Sequence, residues 1–202
     1  MIRFEDDPVY WQALGEFVEG FASIEAMLAL TLSQYAGIRP LIGRAVFSGL
    51  RPDTAMSQVR RIMEISDRGE GAREEIEHIF AQVAILNDAR NQVVHYPSFI
   101  IEGFGRVVSN ASRSHVPRTL RELRVSPDIL RDMSADLRVI SVLLVNHAFR
   151  DQLSKEERAS FDAELARPWR YKPPAQSHGP KPSKERSGRQ KRPERPPPAS
   201  PE

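Results

Sequence analysis

The sequence predicts an all-α fold: a helical bundle of four to five helices with a small inserted β-hairpin and a disordered C-terminal tail. Three observations carry this reading. Apolar residues recur at three- and four-residue spacings along several long segments. One short stretch is instead rich in Phe, Ile and Val around glycines. Ten of the 16 prolines lie between Pro168 and Glu202, where almost no apolar side chain follows Trp169 and Tyr171. A chain of 202 residues, 40% hydrophobic, suffices for one domain with a proper core and is short for two. The domain is therefore expected over residues 1–167, and 168–202 is expected to be a basic, proline-rich tail unable to fold alone.

The first helix is expected from about Pro8 to Gly37. Leu14, Phe17, Val18, Phe21, Ile24, Leu28, Leu32 and Tyr35 form one stripe, and proline and glycine suit its two ends. Glu25 interrupts that stripe and wants a cationic partner. The segment PLIGRAVFSG reads as a helical turn or two ended by Gly49. DTAMSQVRRIMEIS reads as a helix capped by Asp53, with Met56, Val59, Ile62 and Met63 inward. After the loop DRGEG, a long helix begins near Ala72 and buries Ile76, Phe80, Val83 and Leu86. It stops at Tyr96 because Pro97 disfavours helical geometry in the residue before it. SFIIEGFGRVVSNASR is the hairpin, which must pack on the helices because an isolated one is marginal. The last core helix has Ser126 as cap and Pro127 first, and it buries Leu130, Met133, Leu137, Ile140, Leu143 and Leu144. SKEERASFDAELAR opens with a Ser154–Glu157 capping box and reads as a short, weakly anchored helix.

Charge divides where the prolines do. From residue 168 onward nine Lys/Arg face three acids, +6, so with +2 for the whole chain the preceding part carries −4. The chain's basic balance therefore describes the tail, and it is no argument for a basic surface on the domain. The tail itself suits either salt-sensitive phosphate binding or a solvated linker. Absence of cysteine excludes disulfide and thiolate chemistry and fits a reducing compartment. The acidic start MIRFEDDPVYWQ is unlike a signal peptide, and no stretch approaches the roughly 18 apolar residues of a membrane span, so a cytoplasmic protein without membrane association is expected. His78, His115 and His147 lie on different elements with no i, i+4 pairing, so no metal site and no cofactor are expected. GLRPDTA lacks the lysine of a Walker-type phosphate loop, and no Ser-His-Asp arrangement has local support.

The stretch that carries chemistry is NDARNQVVHY, which ends the long helix. Asn91 and His95 are four apart and share a face, whereas Arg90 and His95 stand about 140° apart on the helical wheel, within reach of a long arginine where the last turn loosens. Carbonyls at a helix C-terminus favour a cation, and histidine is the side chain that gives and takes protons near neutral pH. The chemistry that fits is cleavage of RNA by its own 2′-hydroxyl, which needs proton transfer and a fixed positive charge on the phosphate but no metal. His95 would move the proton, Arg90 would stabilise the phosphate and Asn91 would orient it. Glu25 would hold Arg90 in place. Asp88, one turn earlier, and Tyr96 are the outer candidates. The competing reading is a structural helix end, with Arg90 paired to Glu25 and His95 satisfied by a backbone carbonyl. Asn87 and Asp88, one turn before, are expected at solvated positions, with a place in the cleft as the alternative.

The string RNQVVH, Arg90 to His95, at the end of a helix in an all-helical bundle, resembles the signature of the HEPN superfamily: arginine, four to six residues, histidine, with a polar residue usually after the arginine. Here there are four intervening residues, the first of them asparagine. A long first helix with the pair Ile24 and Glu25, then the Arg-Asn helix, a hairpin and a closing helix is also similar to that layout, over roughly residues 8–150. The resemblance implies a homodimer that joins two copies of the motif in a shared cleft. It also implies a metal-independent endoribonuclease acting on RNA, in a toxin-antitoxin or phage-defence setting with an antitoxin or other partner protein. Other members are non-catalytic modules that bind nucleotide, RNA or a protein, and this is the alternative expectation. Tyr96 and Pro97 stand where relatives often have glycine after the histidine, and they either narrow the cleft or supply a stacking ring. In an acidic domain the cleft must be locally positive, and Arg106 or Arg113 of the hairpin region would add to two facing Arg90 side chains.

Overall fold

Prolines and capping side chains set where the helices begin. The computed structural model describes residues 7–103, 105–112 and 120–174. Its first helix, α1 (Pro8–Tyr35), has Pro8 in the first turn, and the Asp7 carboxylate accepts the Tyr10 N–H at 3.1 Å. Gly37, at φ +67°, turns the chain out of α1 in a conformation that a side chain would strain. Next comes α2 (Pro40–Phe47), a full two turns, and then α3 (Pro52–Ile65). Asp53 lies inside the first turn of α3 and does not cap it: Arg51 occupies the cap position, and no side chain bonds the free amides there. Pro52, with its preset φ and missing N–H, starts the helix one residue earlier than the expected aspartate cap.

The long helix α4 runs Glu70–His95, and Tyr96 after it is extended at φ −120°, ψ 145°, as a residue before proline should be. A three-stranded antiparallel sheet follows, β1 (Ser98–Ile101), β2 (Gly105–Ser109) and β3 (Glu122–Arg124), in that order. Ser98 pairs with Val108 and Ile101 with Gly105 in the expected hairpin, where Gly103 and Gly105 both take φ +79°. The sequence reading lacks β3, which pairs Leu123 with Val108. Three residues show no periodicity, and only burial of Leu123 and Val125 beside Val108 reveals the strand.

The closing helix α5 (Pro127–Ala148) starts as expected, with Ser126 Oγ accepting the Ile129 N–H at 3.2 Å. It packs along α1 and on α4, so the core lies where Phe17, Phe21, Ile24 and Leu28 meet Phe80, Val83, Leu137 and Leu144. A single 3-10 turn (Arg150–Gln152) leads to α6 (Lys155–Leu165), whose Ser154–Glu157 capping box is present. This helix is held more firmly than expected: Phe161 is fully buried and Arg158 pairs with Glu75 of α4.

The compact unit continues to Lys172, past the expected boundary at 167. Asp136, buried in α5, accepts the backbone N–H groups of Arg170 and Tyr171, both at 2.9 Å, and Gln82 Nε2 at 2.9 Å. Gln82 Nε2 also donates to the Tyr171 carbonyl at 3.1 Å, while the Trp169 ring stacks on His78. Of the disordered tail expected over 168–202, residues 175–202 lie outside the described residues. Among the described residues no helix is long and apolar enough to cross a membrane.

Candidate functional site

α1, α2, the start of α3 and the last turns of α4 enclose a cleft of about 880 Å³. Its existence depends on how closely α2 approaches α1. Gly43 is buried in α2, and a Cβ there would sit 1.9 Å from Ser33 Oγ, so only glycine allows this contact without displacement. The turn Ser48–Gly49, with Gly49 at φ +79°, then brings Leu50, Arg51 and Pro52 round the same opening.

From α4 the cleft receives Asn87, Arg90, Asn91 and His95, and from α1 it receives Glu25. Four of the residues singled out in the sequence, Glu25, Arg90, Asn91 and His95, are thus gathered. Arg90 Nη2 stands 3.8 Å from Glu25 Oε1, and its guanidinium lies over the Phe21 ring at 5.7 Å. Arg90 Nη1 also donates to Asn91 Oδ1 at 3.2 Å. With its oxygen so engaged, Asn91 keeps its amide hydrogens for another acceptor. Arg90 Nε is buried and has no hydrogen-bond partner among the described residues. Among those residues no hydrogen bond or ion pair links Arg90 to His95. They meet only through the cleft they line.

Asp88 and Tyr96 do not line it. Asp88 is exposed, and its carboxylate accepts Arg121 Nη1 at 3.2 Å and Gln92 Nε2 at 3.1 Å. Tyr96 packs against the core from its extended position after α4. Asn87, by contrast, is buried and belongs to the cleft, contrary to the solvated position considered for it. One residue shifts the direction by about 100°, which is enough to turn Asn87 inward and Asp88 outward. Arg106 is also elsewhere: it stacks on Tyr10 at 4.0 Å, lies 3.9 Å from Asp7 and donates to Ser98 Oγ. Arg113 lies outside the described residues.

Sequence reasoning missed Arg44 of α2 and Arg51 at the start of α3, which add two cations to the lining. Counting Glu25 and Asp53 against Arg44, Arg51 and Arg90, the cleft carries one net positive charge from these side chains. Met27, Leu30, Phe47 and Leu50 supply half-buried apolar surface between these charges. The only hint in the sequence was the run of Arg, Gly and Pro between two short helices, which does not say what it faces. Among the described residues no group of three or more His, Cys, Asp or Glu side chains is placed to hold a metal ion.

Comparison of the chain with protein-family models, with curated proteins and with solved structures gives no match.

Proposed function

We propose that this cleft is the active site of a metal-independent endoribonuclease of HEPN type, working as a homodimer on RNA. The observation that supports it best is that Arg90, Asn91 and His95 open into one positively balanced cleft. In the reaction the 2′-oxygen of a ribose bonds to the adjacent phosphorus and the bond to the 5′-oxygen breaks. The products are a 2′,3′-cyclic phosphate and a 5′-hydroxyl. His95, at the exposed end of α4, relays the proton from the 2′-hydroxyl toward the departing 5′-oxygen. Arg90 and the Asn91 amide hold the charge that gathers on the non-bridging oxygens. Glu25, 3.8 Å away, keeps the guanidinium in position. A toxin-antitoxin or phage-defence setting, with an antitoxin as protein partner, belongs to the same proposal.

Purified full-length protein and the His95→Ala variant, matched for folding and dimer content, are compared on a mixed RNA pool in EDTA. Cleavage that leaves cyclic phosphate ends and falls at least about 100-fold in the variant is the expected result. Cleavage unaffected by the substitution would remove His95 from the mechanism. The apolar lining at Leu30, Phe47 and Leu50 favours a second reading, a non-catalytic module for nucleotide, RNA or a protein. In that case the folded dimer binds but does not cut.

A further inference from the structure

The α4 side of the cleft accounts for one phosphate, yet the cavity is far larger than a phosphate needs. At about 880 Å³ it lies near the upper end of pockets that enclose whole drug-sized ligands, about 300–1,000 Å³. Its other wall, made by α2 and the start of α3, presents Arg44 and Arg51. Both are exposed, and among the described residues neither is paired with a carboxylate. This sets them apart from Arg60, Arg68 and Arg158, which hold Glu77, Asp151 and Glu75. Phe47 and Leu50 lie between Arg44 and Arg51 in sequence and line the same space with half-buried apolar surface. Two unpaired guanidinium groups serve phosphates well, because each presents a planar fork of donors. An aromatic ring beside them suits an unpaired base, which has a π-face whatever its identity.

We infer that Arg44 and Arg51 form a second phosphate-binding wall, so that the cleft takes a single-stranded polynucleotide with one phosphate at Arg90–Asn91–His95, a neighbouring one at Arg44–Arg51, and a base against Phe47. This rests on the cleft being a nucleic-acid site, and it adds the substrate class: a strand of at least two phosphates with unpaired bases. Arg44 and Arg51 are positioning residues that fix the strand's register over the reacting phosphate. They touch no reacting atom.

The test uses the full chain and a fluorescein-labelled 12-nucleotide single strand of mixed sequence with 2′-O-methyl groups, which lacks the nucleophile and is read by anisotropy at several salt concentrations. Replacing both arginines (Arg44→Gln with Arg51→Gln) should weaken binding about 10-fold or more. It should also lower the slope of log affinity against log salt by about 1.4, the value for two single-strand phosphate contacts. The charge-keeping pair Arg44→Lys with Arg51→Lys should restore most of that slope. A control pair on exposed arginines outside the cleft, Arg61→Gln with Arg138→Gln, should leave it near wild type. The proposal is overturned by a wild type that does not bind the strand, by an unchanged slope in the first pair, or by an equal drop in the control. Because the strand cannot be cut, these outcomes are independent of whether His95 supports cleavage. The ribonuclease reading fails separately, on the EDTA assay, even where the slope changes as expected.

Discussion

Asp136 shows how much one side chain decides. Its buried carboxylate is shared by two backbone amides and the Gln82 amide, and it ties the end of the domain to α5 and α4. In Asp136→Ala the two backbone amides lose their acceptor and the Gln82 amide loses one of its two, at a cost of about 3 kcal/mol of unfolding free energy in urea denaturation, and Trp169 fluorescence should shift as its stack on His78 loosens. His147 is a second case. It is fully buried between Tyr35 and Phe161, and its Nδ1 lies 3.3 Å from Glu75 Oε2. Glu75 already serves Arg150 and Arg158, so burial outweighs the carboxylate and pushes the imidazole down to about 4. Between that value and the unfolded one near 6.5 the unfolded chain binds more protons. Stability is therefore whole above about pH 6.5 and is lost as pH falls toward 4, by about 3 kcal/mol from this residue. Urea midpoints measured from pH 7 to pH 4 should fall for wild type and fall clearly less for His147→Leu. The Arg90–Glu25 pair is different, being 3.8 Å long and partly exposed. Arg90→Ala should cost no more than about 1 kcal/mol of stability while removing cleavage, whereas a purely structural arginine would show the reverse.

At the scale of elements, the cleft depends on where α2 sits. Gly43→Ala would drive a methyl into Ser33, so α2 must move and the expected loss is about 1–3 kcal/mol with a changed cleft. Gly15, in the exposed middle of α1 with nothing within 4 Å of a new Cβ, provides the opposite case. Gly15→Ala should raise stability by about 0.5–1 kcal/mol, because the glycine there contributes only backbone freedom to the unfolded chain. Thermal or urea denaturation of the two variants should therefore move in opposite directions. The starts of α1, α5 and α6 and the stop of α4 were legible in the sequence because Pro8, Ser126, Ser154 and Pro97 act locally. The strand β3 was not, since its three residues gain their conformation only by pairing with β2.

For the molecule as a whole, the edge of the domain lies at Lys172. A chain ending at Arg167 should be less stable than one ending at Lys172 by about 3 kcal/mol, because it lacks the backbone amides that Asp136 accepts and the buried Tyr171 ring. Charge is also distributed by region, with an acidic domain that gathers Arg44, Arg51 and Arg90 at one opening. The sequence by itself determined the helical class, the order of the long helices, the Ser126 cap of α5, the hairpin, and the grouping of Arg90, Asn91 and His95 on one helix end. Those features follow from spacing within a few residues, where backbone geometry fixes which side chains share a face. Only the tertiary structure decided that Asn87 turns into the cleft and Asp88 away from it, and that Arg44 and Arg51 complete the lining, while it set the expected Glu25–Arg90 pair at 3.8 Å. Each of these depends on the packing of helices distant in sequence, above all on the close seat of α2 against α1 that Gly43 permits.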